Sequence, residues 1–187
     1  MEKIKLLLYC CKQPHKLFNS DKGFVLSDWD LGDAYKDKTL LNGKIVAECD
    51  FEVEELTPYQ YQGLRENMVV GYKGKTTDYN ALIDKSKIGY CELDNYLKCN
   101  IGYAIHIKNL HIFDKPRELN ECWANTNAWI FSNEKLYVAP QNMRYCGDWN
   151  LKKAILISIR PEWLVKILNK EKTIEVRKKV LKEMLEK

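Results

Sequence analysis

Near the C-terminal end of the chain Thr173, Glu175 and Arg177 recur at every second position, with Ile174 and Val176 between them and Lys172 just before. On an extended backbone alternate side chains share a face, so these three polar groups line up at a spacing of about 7 Å. Glu175 and Arg177 can pair, and Lys172 adds a cation beside them. Together they form a surface that both donates and accepts hydrogen bonds, the mixture a base or nucleotide needs. An ordinary exposed strand face of alternating charge has the same pattern, and the pattern alone favours that plainer reading.

Arg160 stands immediately before Pro161, where a helix is expected to begin. The unpaired N–H groups and positive dipole end of a helix start favour a phosphate or carboxylate. Trp163, one turn in, can wall the same cleft, although a Trp on a short helix is more often packing. His106 lies in an alternating stretch, where a lone strand histidine is more often half-buried and satisfied than a general base. Ser158 lacks the glycine-flanked elbow of a nucleophile. The cysteines at 10, 11, 91 and 99 have neither CxxC spacing nor a histidine at ligand distance behind them, so no metal or cofactor is expected.

The elements that must position these residues follow from hydrophobic period and punctuation. Lys5 to Cys11 reads as a buried strand, and residues 12–43 as a long loop closed by Asn42-Gly43. Lys44 to Val53 alternates apolar Ile45, Ala47, Cys49 and Phe51 with charged neighbours, a strand with one wet face. A loop-rich, tyrosine-bearing insertion is expected over about 57–100, relieved by short helices at Asp78 to Lys85 and Glu92 to Lys98. Gly102 to Phe113 alternates as a strand bent near Asn109, and Pro116 to Leu119 reads as a helical turn. Met143 to Cys146 is a short strand before a Gly147-Asp148 turn. Ala154 to Ile159 is a β-branched strand, and Pro161 with Glu162 opens an amphipathic helix carrying Leu164, Ile167 and Leu168. Asn169 is expected as its left-handed cap, Lys172 to Val176 as a strand, and Lys178 to Lys187 as a closing amphipathic helix.

The 187 residues suggest one domain, and 45% hydrophobic with 30% charged residues indicates a packed globule. No apolar run approaches the roughly 18 to 20 residues of a spanning helix, and the N-terminal apolar stretch is too short for a signal peptide. Seven cysteines without regular spacing fit reduced thiols, so the expected location is cytoplasmic. The net charge of +4 is uneven: residues 151–187 carry 11 Lys or Arg against 5 Glu, and the rest is slightly acidic. Positive charge concentrated at the C-terminal unit is what a phosphate-facing surface requires, though solvated lysines give the same count.

The stretch LISIRPEWLVKILNKEKTIEVRKK resembles the ASCH domain of the PUA-like β-barrel superfamily, whose signature is a strand, a helix opening near a Pro, and G-x-K-T-x-E-x-R. Lys172, Thr173, Glu175 and Arg177 match the last part residue by residue, and Lys170 stands where the family often has Gly. KLLLYCCK, NGKIVAECD, GYAIHIKNLHIFDKPREL and APQNM are similar to later segments of ASCH proteins common in bacteriophages and their hosts. Here they precede the signature. The resemblance therefore implies an α+β fold, a PUA-like barrel with flanking short helices and circularly permuted strand order, covering residues 1–187. A strand-swapped dimer is the competing geometry.

The resemblance implies recognition of RNA or a nucleotide through Lys172, Thr173, Glu175 and Arg177, with Arg160 and the helix start holding phosphate and Trp163 and His106 nearby. Some small ASCH proteins are amidohydrolases acting on acetylated cytidine, and some are reported as ribonucleases. In an enzyme of that kind Lys172 would be the base or nucleophile activator and Glu175 the proton carrier, although the amidohydrolase Thr falls at Glu175 here. A third class is a phage-encoded inhibitor of a host defence complex that acts by protein contact through the barrel and the tyrosine-rich residues 57–100.

Overall fold

The computed structural model describes residues 4–10, 43–60, 70–118, 143–149 and 152–185. The expected loop at 12–43, but for its last residue, and the APQN segment at 139–142 lie outside them. The fold is α+β. Its strands are β1 (Lys5–Cys10), β2 (Ile45–Tyr59), β3 (Gly71–Lys73), β4 (Gly102–Arg117), β5 (Met143–Trp149), β6 (Lys152–Ile159) and β7 (Ile174–Arg177). The helices are α1 (Tyr79–Ser86), α2 (Tyr90–Leu97) and α3 (Pro161–Leu168), and a 3-10 turn follows at Lys182–Met184.

The hydrogen-bonded order is β5-β6-β1-β2-β4-β7, with β3 paired to β2. β1 runs parallel to β6 and antiparallel to β2, so the sheet is mixed. Strands from the two ends of the sequence thus share a sheet. The expected closed barrel is not formed: among the described residues β5 and β7 end the order without pairing to each other. Closure would need the terminal strands to tilt and stagger into register, and the last strand here is only four residues long.

Contacts gather the chain into two compact units, residues 1–50 with 109–169 and residues 51–108 with 170–187. In the first, Leu6, Leu7, Leu8, Ile155, Leu156 and Ile157 are fully buried. Both faces of β1 and β6 are therefore covered, which is why these strands read as unbroken apolar runs. β5 and β6 form a tight antiparallel hairpin with Trp149 opposite Lys152, and its register shifts between Tyr145 and Gly147. Gly147 and Asp148 are thus strand residues rather than the expected turn. α3 packs on β1 and buries Leu164, Val165, Ile167 and Leu168, each worth about 2 kcal/mol.

In the second unit Leu56, Tyr72, Leu82, Leu93, Leu97, Ala104, Ile174 and Val176 form one core. The stretch expected to be loop-rich is, where described, the end of β2, β3 and two capped helices. Asp78 accepts from the Ala81 N–H at the start of α1, and Glu92 accepts from the Gly89 N–H at the start of α2. Both helices end on left-handed lysines, Lys87 and Lys98. Tyr72 is buried, with its hydroxyl accepting from the Cys99 N–H, and Tyr79 packs edge-on against Tyr59 and Tyr90.

Other expectations shift. β4 continues through Pro116 to Arg117 in place of a helical turn, because the fixed φ of proline suits extended backbone equally well. Asn109 has φ 48°, the irregularity expected there. Asn169 is right-handed, and the left-handed residue after α3 is Lys170, φ 63°. Glycine is the residue that adopts this conformation without strain. The closing helix is only the 3-10 turn; Met184 is its buried residue, and too few apolar side chains face inward to hold more.

Candidate functional site

Most polar residues of the signature strand are inside the second unit. Lys172, Glu175 and Arg177 are 1%, 6% and 1% exposed, so the exposed charged face of the simplest pattern reading is not what the chain builds. Lys172 Nζ donates to the Ser86 carbonyl at 2.5 Å and lies 3.3 Å from Glu175 Oε2. Arg177 Nε lies 2.9 Å from Glu175 Oε1. One carboxylate thus sits between two cations. Ser86 is the last residue of α1, so the lysine also caps a helix C-terminus, where the dipole favours a cation. Thr173 is exposed, and its N–H donates to the Lys85 carbonyl. The register places Tyr103 opposite Arg177 and Ile105 opposite Glu175, while His106 is opposite Ile174 on the other face.

Arg160 and Trp163 belong to the first unit. Arg160 is the exposed N-cap residue of α3, and Trp163 is half-buried with Lys166 Nζ 4.8 Å from its ring centre. Ser158 is fully buried in β6. Among the described residues no group of three or more His, Cys, Asp or Glu side chains converges as a metal site.

A second polar constellation surrounds His106 in the second unit. Glu54 Oε1 lies 3.0 Å from His106 Nε2. Glu54 Oε2 accepts from both the N–H and the hydroxyl of Thr76, each at 2.9 Å. The Thr77 hydroxyl lies 3.4 Å from His106 Nε2. Burial pushes the Glu54 pKa up, but the bonds from Thr77, the Thr76 N–H, His106 and the Thr76 hydroxyl outweigh it and bring the value to about 2. Three donors bond the carboxylate at 3.0 Å or less. A carboxylate only accepts, so its bond to Nε2 places an N–H there, and in the neutral ring Nδ1 is then the acceptor.

Gly74 lies directly against this carboxylate: a Cβ there would come within 2.5 Å of Glu54 Cδ. The constellation borders a recess of about 440 Å³. Its wall combines Glu52, Glu54, Lys75, Thr76, His106 and Lys108 with Val53, Met184 and Leu185. Lys108 is paired with Glu52 at 2.6 Å, while Lys75 is exposed and has no ion-pair partner among the described residues. Chemically the recess offers two cations beside two carboxylates, an imidazole and an apolar wall.

Of the residues singled out from sequence, the structure brings Lys172, Glu175 and Arg177 together and sets His106 apart with Glu54. Glu54, Lys75 and Lys108 were missed. The acidic alternation Glu48, Asp50, Glu52, Glu54 was the available signal, but the strand was expected to stop at Val53. Compared with family models, curated proteins and solved structures, the chain matches none.

Proposed function

We propose that this chain is an RNA- or nucleotide-binding module, of the permuted ASCH, PUA-like and phage-related kind that its segments resemble, and that its ligand enters the recess beside His106. The observation that carries the reading is the composition of that recess. Its volume lies in the range that accommodates a mononucleotide. Lys75 and Lys108 supply charge for phosphate, His106 a directional polar contact, and Val53, Met184 and Leu185 a face for a ring. In this reading the matched residues Lys172, Glu175 and Arg177 hold β7 against α1, and so shape the wall without touching ligand. The expected setting is the cytoplasm, with a nucleic acid or nucleotide as partner.

The test is fluorescence anisotropy with labelled single-stranded RNA and with labelled mononucleotides, over a salt series. Binding that weakens with salt, and weakens at least ten-fold in a Lys75→Ala, Lys108→Ala double variant, is expected. Absence of binding to either ligand class at low salt sinks the reading, as does binding that the double variant leaves unchanged.

A further inference from the structure

The recess also carries a statement about which ligands it accepts, and this rests on the binding reading above. Most of the accepting capacity of Glu54 is already taken, twice by Thr76 at Oε2 and by His106 at Oε1. The work left to it is orientation. A carboxylate bonded to one imidazole nitrogen fixes both the ring plane and the tautomer, and the opposite nitrogen is then an acceptor in a known direction. Among the described residues every hydrogen bond of His106 is made by Nε2. The histidine side chain is 22% exposed and borders the recess.

The groups that face His106 come from three elements and the loop before α1. On β2 they are Glu54 and Glu52, on β4 Lys108, on the loop Lys75 with its threonines, and on the C-terminal turn only apolar Met184 and Leu185. The cations are Lys75 and Lys108, so an anionic ligand end belongs beside them. A ligand that meets the free Nδ1 of this lining histidine must bring a donor to it. Leaving it unmet inside a filled recess costs affinity, the effect by which a polar site rejects an analogue that lacks one N–H.

We propose that Glu54 is a positioning residue that holds His106 as a hydrogen-bond acceptor, and that the recess selects nucleotides whose base carries an exocyclic amino group, with the phosphate at Lys75 and Lys108. A base lacking that donor binds through its phosphate and ring face alone. Discrimination then depends on His106 and orientation on Glu54, while overall affinity depends on the lysines.

The experiment is calorimetric titration at pH 8 with two matched pairs. Adenosine 5′-monophosphate is compared with purine riboside 5′-monophosphate, and cytidine 5′-monophosphate with its 4-deamino analogue. Within a pair the two differ only at the amino group. Wild type is expected to prefer the amino-bearing member of at least one pair by ten-fold or more. His106→Ala should abolish the preference, and Glu54→Gln should shrink it and shift its pH dependence without lowering the affinity for the deamino ligand. Lys75→Ala should weaken both members equally. Equal binding of both members in wild type overturns the inference while leaving the nucleotide-binding reading in place. A preference that survives His106→Ala in a folded protein also overturns it. No binding of any of the four, together with no RNA binding, removes the reading on which the inference rests.

Discussion

Two polar clusters of the second unit use the same kinds of side chain for opposite ends. Lys172, Glu175 and Arg177 are almost wholly enclosed, one carboxylate between two cations, with the lysine capping α1. Glu54 and His106 border open space, and their carboxylate is fixed by neutral and imidazole donors rather than by cations. A buried ion group mainly penalises its own disruption, whereas a held group at a recess can be spent on a ligand. Charge and spacing at 172–177 advertised chemistry, but solvent reaches the quieter pair.

The comparison is most sharply tested by removing one charge from each cluster. Glu175→Ala leaves Lys172 and Arg177 enclosed without their shared carboxylate. A loss of about 3 to 5 kcal/mol in urea unfolding is expected. His106→Ala should change stability by less than about 1 kcal/mol while weakening an amino-bearing nucleotide about ten-fold, which corresponds to about 1.4 kcal/mol of binding. If the two variants exchange these effects, the assignment of roles is reversed.

Acid separates the clusters further. The Glu54 carboxyl is held at about 2 against an ordinary value of 4.5, so the stability it contributes is present above that ordinary value and is lost as pH falls toward 2. Chemical denaturation between pH 5 and 2 should therefore show a declining limb that Glu54→Gln flattens. The smallest effect concerns Lys170, whose left-handed backbone, φ 63°, is strained for any side chain. Lys170→Gly should raise stability by about 0.5 to 1 kcal/mol and leave nucleotide affinity unchanged.

What the sequence made legible is uneven for physical reasons. β1 and β6 were found because strands covered on both faces are continuous apolar runs. α3 was found because proline, an acidic first turn and a regular apolar stripe agree. The length of β2 was not, because its buried positions from Ala47 to Phe51 fall on odd numbers and the next one beyond is the even-numbered Leu56. A single alternation cannot express that change, and Glu54 lies within it. The partnership of Glu54 with His106 is 52 residues apart in the chain and arises from strand pairing, which local pattern does not encode. The enclosure of Lys172 and Arg177 was likewise invisible, since lysine and arginine are seldom buried. Only the ring of contacts from α1 and β4 makes it acceptable.

Gly74 carries one more consequence. A methyl group there would collide with a carboxylate that Thr76 and His106 hold in place. Position 74 is therefore not free to vary alone. A side chain at 74 demands a shorter or missing acid at 54, and with it a differently held histidine. Random mutagenesis would record position 74 as intolerant for a reason that has nothing to do with turns. On the proposed binding reading, the compensating change it selected would be a change in what the protein recognises.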